Sequence, residues 1–425
     1  MTSFIRTSQH SLKDLNKCKA YELNLFIRAY REAVNVYVDF LWNTRIEFNT
    51  TVLDVKEHQY NVPKFIPKLL ENFNTLLTSR ALKCASTQAC GVVASVLDKR
   101  QKDESKLEWF YSQGKKPSAA LIERLSKPPV CPNTQNINCE LNSIIVSVGA
   151  EINSFDLWLN FSALFKSKRG FKLAVPARHH RQSRKWQARG KLLTSILLNE
   201  HQFNLRWDVE EPKKRTSGTI VGVDQGITDL LTISNNQEFP IDIHGYTLTS
   251  ILHKIARKRK GSLAFAAAQQ HRKNYINWYV KKLDLADVKE VKLEKITNIG
   301  YRRTSSRFLR GFTNTLIRDS LERLCLESGV RFSLIDNEFN SQRCNKCGWT
   351  QKSNRKGKLF LCKNCKHEAD ADVNASCNIL IRDSLILLPF GFRAKKLNIN
   401  GFFWTQEHVA LKYGEELTVL LNRET

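Results

Sequence analysis

Apolar residues recur at three- and four-residue intervals from Tyr21 to Tyr30 and on through Phe40, Leu41 and Trp42, and again from Phe65 to Leu76. That is the spacing of one helix face. Pro63 and Pro67 stand where a helix would start. A third helical stretch, Ala85 to Leu97, is built from small residues that permit close approach, and Asp98 to Lys102 is its charged, solvent- or nucleic-acid-facing end. Residues 1–110 therefore read as a helical region. From residue 111 to 210 the pattern changes. Pro128, Pro129 and Pro132 interrupt helix, and the segments Ser143–Val148, Phe171–Pro176 and Gln202–Trp207 have β-branched or alternating composition, which predicts strands forming a small barrel or sheet.

The polar, basic run 211–218 reads as a linker. Beyond it, Thr219 to Val223 is an apolar strand ending in Asp224, and Gly226 allows a turn into a second strand, Asp229 to Ser234. Tyr275 to Leu285 is an apolar-striped helix feeding the strand Val288–Ile296, the order of a β-α-β crossover. In that strand the alternation sets Glu294 and Lys292 opposite Val291 and Leu293. Another helix, reaching Glu327, leads to a strand at Val330–Ile335, and Val373, Cys377 and Leu380 share the face of a last helix that begins near Asp372. The plan is α/β.

Charge narrows the partners. With 67 Lys and Arg against 41 Asp and Glu, the chain carries a formal +26, a self-repulsion that a polyanion relieves. No apolar run is long enough for a membrane span and no leading hydrophobic signal is seen, so a soluble cytoplasmic protein without a membrane partner is expected. The segment 251–310 holds sixteen of the cations against four acids, densest at Arg257, Lys258, Arg259 and Lys260 and continuing to Arg302 and Arg303. Arg184, Lys185 and Trp186 lie in a second basic run whose aromatic suits phosphate contact with base stacking; a merely solvated face is the competing reading of both runs.

Eleven cysteines, an odd number, argue against a disulfide scaffold. Cys344-x2-Cys347 and Cys362-x2-Cys365 have the spacing of a four-thiolate structural Zn2+ site. The others, such as Cys18, Cys84 and Cys325, read as small core residues. The loop between the two pairs, Gln351 to Lys358, is strongly cationic and includes Arg355, a finger tip suited to a nucleic-acid backbone. Asp224, Glu294 and Asp372 are candidates for a hard-oxygen site for Mg2+ or Mn2+, of the kind that hydrolyses phosphodiesters with two ions about 4 Å apart. Taken singly, each has a plain alternative: Asp224 capping its turn, Glu294 on the surface, Asp372 capping its helix.

Together, Gly222-Val223-Asp224-Gln225-Gly226, Val291-Lys292-Leu293-Glu294-Lys295-Ile296, the two cysteine pairs, Asp370-Ala371-Asp372-Val373-Asn374-Ala375, Phe339-Asn340-Ser341-Gln342 and Asn354-Arg355 resemble the RuvC-type nuclease domain of the TnpB family and the compact Cas12-type effectors related to it. The resemblance covers roughly residues 219–385. It implies an RNase H-like nuclease domain in two parts, 219–340 and 370–388, around a zinc ribbon at 341–369, preceded by a recognition region and a wedge, and followed by a tail at 389–425. It further implies Asp224, Glu294 and Asp372 as catalytic, Mg2+-holding acids, with guide RNA and target DNA as partners in a prokaryotic or phage-encoded, nucleoid-associated protein. A guided binder without catalysis and a strand-transferring transposase are the alternative functions, and a homodimer stays open.

Overall fold

The computed structural model describes residues 2–48, 75–142, 145–149, 155–162, 164–166, 172–296, 306–388, 392, 394–395 and 398–411. The helix expected across Phe65–Leu76, with Pro63 and Pro67, falls mostly outside them, as do Arg302 and Arg303. The chain forms two compact units, Met1–Glu210 and Glu211–Thr425.

The first unit opens with a strand, β1 (Ser3–Ser11), in a stretch expected to be mainly helical. Next come α1 (Lys17–Phe48), α2 (Ser79–Ser112), α3 (Ala119–Ser126), β2 (Cys139–Asn142), β3 (Ile145–Gly149), β4 (Leu157–Ser162), β5 (Lys172–Ala177), α4 (Arg181–Gln187), β6 (Gly190–Leu198) and β7 (Gln202–Glu210). The 1–110 and 111–210 stretches share one core. Strand β1 pairs antiparallel with β7 from Ser3↔Glu210 to Ser11↔Gln202, in a sheet ordered β1-β7-β6-β2, while β3, β4 and β5 form a separate antiparallel meander. The three- and four-residue spacing in α1 buries Leu23, Phe26, Ile27, Tyr30, Val34 and Tyr37. Small residues Ala81, Ala85 and Ala89 give α2 a close-packing face, and the Tyr30 hydroxyl lies 3.0 Å from Gln88 Oε1 on α2 and 2.9 Å from the Glu140 carbonyl on β2. Residues 98–102 continue inside α2 instead of ending it.

In the second unit the expected linker is clamped down. Arg215 donates through Nη1 to the carbonyls of Ala286 (2.9 Å) and Val288 (3.0 Å), and through its backbone to Gly329 O (2.8 Å). Then follow β8 (Thr219–Gln225), β9 (Leu231–Ile233), α5 (Leu248–Arg257), α6 (Leu263–Val280), β10 (Val288–Lys295), α7 (Arg307–Gly311), α8 (Asn314–Ser328) and β11 (Arg331–Asp336). Their sheet is ordered β11-β10-β8-β9, with β10 parallel to both β8 and β11 and β9 closing an antiparallel hairpin on β8. Four short strands, β12 (Trp349–Thr350), β13 (Arg355–Lys356), β14 (Leu359–Leu361) and β15 (Glu368–Asp370), precede α9 (Ala371–Ile381). The tail adds β16 (Phe402–Trp404) and β17 (Val409–Ala410), which extend β12 into a three-stranded sheet.

One face of the main sheet, through Val221, Val223, Val291 and Leu293, packs on Leu248, Ile251, Ile276, Ile317 and Leu321 of the helices. The opposite face carries Lys292, whose Nζ donates to Leu380 O at the end of α9 (2.9 Å) and pairs with Asp383 (2.8 Å). Helix α9 lies directly on β8 because Gly222 lets it: a Cβ there would sit 2.1 Å from Ser376 O and 2.6 Å from Leu380 N. Both atoms are helix backbone and have no flexible end to swing away, so a methyl group must push α9 off the sheet. Gly222→Ala is therefore expected to destabilise this unit by about 3 kcal/mol, read as a lower Tm in a thermal melt, and to displace Asp372 with the helix.

Candidate functional site

Strand β8 ends beside Asp224, β10 ends beside Glu294, and α9 starts beside Asp372. These three ends converge on one cavity of about 290 Å3, lined by all three carboxylates and by Gln225, Ser341, Arg355 and Lys358. The parallel register explains the first two: Val223 pairs with Leu293, so the next residues, Asp224 and Glu294, stand at the same level of the sheet, one residue before their strands end. Local chemistry explains the third. Asp370, not Asp372, caps α9, its Oδ1 accepting from the backbone N–H of Asp372 (2.8 Å) and Val373 (3.1 Å). With the capping role taken, the Asp372 carboxylate is left to face the cavity.

Burial in this cavity suppresses the charge of two of the acids, Asp224 and Glu294. Loss of hydration, then repulsion from Glu294 and Asp372, pushes the Asp224 carboxyl up to about 8. Loss of hydration raises Glu294 to about 7, against the pull of the Asn340 amide, which donates to Glu294 Oε1 at 3.4 Å, and of Arg355 and Arg382. A carboxylate so placed holds a proton or calls for a cation. Two side-chain cations answer at Asp372: Arg355 Nη2 donates to Oδ1 at 2.8 Å, and Lys358 Nζ bonds to Oδ2 and also to Asp229. Burial alone would lower the Lys358 ammonium, but these two carboxylates outweigh it and hold it raised. The inter-knuckle loop, expected to offer its cations to a nucleic-acid backbone, thus turns Arg355 and Lys358 onto the acidic cavity. In the sequence, Lys358, Asp229 and Asn340 read only as parts of the cationic loop, the second strand and a motif, not as partners of these acids.

Beside this cavity sits the cysteine cluster. The Sγ atoms of Cys344, Cys347, Cys362 and Cys365 all lie within 4.8 Å of one another, and among the described residues this is the one group of three or more such ligand atoms that close together. The separations Cys344–Cys365, 3.7 Å, and Cys347–Cys362, 3.6 Å, match the edge of a tetrahedron with Zn–S bonds of about 2.3 Å, which is about 3.8 Å. Both turns have one construction. Gly348 and Lys366, each following a second cysteine, take positive φ (77° and 62°), and each donates its N–H to the carbonyl of the first cysteine, Cys344 O at 3.0 Å and Cys362 O at 3.1 Å. The fit to one zinc ion is good, and the fit of the three hard-oxygen donors to Mg2+ or Mn2+ is one of chemistry and shared cavity.

A buried polar network ties cluster to cavity. Arg343 donates to Trp404 O in the tail strand β16 (2.7 Å) and to Asn378 Oδ1 on α9 (2.7 Å). Asn374 and Asn378 of α9 donate back to Arg343 O at 2.8 and 2.7 Å. The ribbon, the tail and the helix bearing Asp372 are one hydrogen-bonded body.

The remaining expected contact residues do not line this cavity. Arg257, Lys258, Arg259 and Lys260 stand at the end of α5 and in the turn after it, all of them exposed except the half-buried Lys258. Arg184 and Lys185 are exposed on α4 in the first unit. Trp186 is a correction: it is 3% exposed, a core residue of that unit, so its ring is not open to a base. Lys185, Arg189 and Arg6 stand over it at 4.4, 5.8 and 5.9 Å. Of the cysteines expected in the core, Cys325 is buried, Cys84 partly so and Cys18 exposed.

The second unit is thus a mixed α/β domain with an acid-lined cavity at its strand ends and a four-cysteine metal cluster inserted before its last helix. Residues 316–379 match the family Cas12f1-like, TNB domain. The CRISPR-associated endodeoxyribonuclease Cas12f1 of Sulfoacidibacillus thermotolerans is 38% identical over 92 residues, 21% of each chain. That of Syntrophomonas palmitatica is 24% identical over 115 residues, 27% of this chain and 23% of the relative. These alignments span about a fifth of the relatives' length. The solved structure of the mini-RNA-guided endonuclease CRISPR-Cas_phi3 superposes with a TM-score of 0.50 at 9% identity, over 89% of this chain and 92% of that one, a likeness of fold. Residues 316–379 are thus similar to the Cas12f1-like TNB domain, and they include a four-cysteine cluster able to hold a metal ion.

Proposed function

We propose that this protein is an RNA-guided, Mg2+-dependent DNA endonuclease, with an RNase H-like (RuvC) site formed by Asp224, Glu294 and Asp372. The observation that carries the reading is the convergence of these three acids, from β8, β10 and α9, on one cavity beside a basic hairpin. The matched relatives are named endodeoxyribonucleases, and the structural neighbour an RNA-guided endonuclease. The net charge of +26 supplies the long-range attraction for guide RNA and target DNA, with residues 1–110 as a recognition region and 111–210 as a wedge.

The acids would hold Mg2+ or Mn2+, and the bound ions would supply Lewis-acid polarisation of the phosphodiester and acidify the attacking water. The protein's own part is positioning. Gln225 Nε2 donates to Glu294 O at 3.0 Å, tying the ends of β8 and β10 together. Asn340 holds one oxygen of Glu294, and Arg355 donates to one of Asp372 and, through Nε, to Gly357 O at 3.1 Å. The exposed cations Arg257, Arg259 and Lys260 would bind the strand backbone. Zn2+ in the ribbon is structural.

Purified protein carrying its co-expressed RNA, given matching duplex DNA, is expected to cut it in Mg2+ and to stop in EDTA. Binding without cutting in Mg2+ would replace this reading with that of an inactive guided binder, and joining of labelled donor ends with that of a strand-transferring transposase.

A further inference from the structure

The two oxygens of Asp372 have unequal partners. Oδ1 takes Arg355, whose guanidinium is itself held by a backbone carbonyl, so the pair is braced from both sides. Oδ2 takes Lys358, whose side chain is about half exposed (46%) and whose other partner, Asp229, is more exposed still (56%). The lysine backbone is fixed: Lys358 O accepts from Ala371 N at 2.8 Å, and the next residue, Leu359, pairs with Asp370 in the β14–β15 ladder. Four methylene groups separate that fixed Cα from the ammonium. Lys358 can therefore leave Asp372 by rotating its side chain alone, with no backbone movement, and Asp229 gives the ammonium a place to go. Asp229 belongs to the turn between β8 and β9, directly after the strand that carries Asp224.

A divalent cation and this ammonium want the same carboxylate oxygen. We propose that Lys358 is a built-in competitor for the metal site, a tethered cation that neutralises Asp372 until a divalent ion displaces it toward Asp229. The device sets the metal concentration at which the site fills and keeps the acidic cavity from repelling itself open. It rests on the reading of Asp372 as a metal ligand.

The test is Mn2+ binding to the full-length, zinc-loaded, RNA-free protein, followed by the loss of the free-ion paramagnetic signal, a readout independent of cleavage. Lys358→Gln should bind Mn2+ about fivefold more tightly, the upper worth of one partly exposed ion pair. Lys358→Arg, which keeps the charge, should stay near the parent value. Lys356→Gln removes an equal charge from the same hairpin, at an exposed residue that does not line the cavity; it should shift affinity by less than about twofold. If Lys358→Gln leaves affinity unchanged or weakens it while Asp372→Asn abolishes binding, the competitor is overturned and the metal site stands. If Lys358→Arg or Lys356→Gln tightens binding as much as Lys358→Gln, the effect is not a specific ion pair and the proposal is likewise overturned. If Asp372→Asn leaves Mn2+ affinity intact, the reading of the site itself fails.

Discussion

Asp224→Asn is expected to remove Mg2+-dependent cleavage by about a thousandfold or more and, in the same protein, to raise the stability of the metal-free state. Losing an anionic oxygen from the site accounts for the first effect. The second follows from the proton. In the folded protein the Asp224 carboxyl is held up to about 8, by lost hydration and by Glu294 and Asp372, whereas in the unfolded chain it titrates near its ordinary 3.8. Between those values the folded state binds more protons than the unfolded state, so stability falls as pH rises. The neutral amide has no proton to lose. The stabilisation by Asp224→Asn should therefore be small in mild acid, grow through neutrality and level off above pH of about 8, reaching on the order of a few kcal/mol. Denaturant melts across pH in EDTA measure it. A stability gap independent of pH would mean that Asp224 is ordinarily ionised in the fold, and the crowding of the three acids would then not be the source of its metal demand.

Replacing Cys344 by Ser, or stripping the metal with a strong chelator, should have the other large effect. The ribbon around the four cysteines has little apolar core of its own: Cys344, Trp349, Phe360, Cys362 and Ala371 are its buried members. A four-thiolate zinc centre contributes roughly 10 kcal/mol or more to such a fold, far beyond what these few side chains supply. Its loss should release one zinc per chain and expose Trp349. Because Arg343 joins the ribbon to α9 through Asn378 and to the tail through Trp404 O, Asp372 should lose its position too. Cleavage then disappears although no carboxylate has been touched. The first unit has a separate core of its own, so its unfolding transition should persist. A zinc-depleted protein that retains the native tryptophan fluorescence and cuts DNA would contradict this account.

What could be read from the chain depended on how local each signal was. The cysteine pairs, the apolar strand ending in Asp224 and the helix after Asp370 all declare themselves within a dozen or so residues, and the corresponding β8, β9, α9 and cysteine cluster appear in the structure. Strand β1 does not, since its partner β7 is nearly the whole first unit away in sequence and its buried side is largely polar, with Ser8 and His10 inside and Ile5 exposed. Trp186 shows a different limit: a ring among cations looks the same in sequence whether it is an open platform or, as here, a buried residue roofed by those cations. Likewise a basic hairpin tip reads as a phosphate contact, because nothing in the loop reveals that Arg355 and Lys358 meet Asp372 across the cavity. The tail strands β16 and β17 pair with a two-residue strand inside the ribbon, a partner too short to leave a pattern.

The most direct measurement is anomalous diffraction from crystals of the zinc-loaded protein soaked in Mn2+, recorded at the manganese edge. The account predicts manganese density in the cavity, within bonding distance of carboxylate oxygens from residues 224, 294 and 372 together, with the Lys358 side chain withdrawn from Asp372. Manganese bound elsewhere, or a cavity that excludes it while Lys358 and Arg355 keep their grip, would contradict a shared metal site.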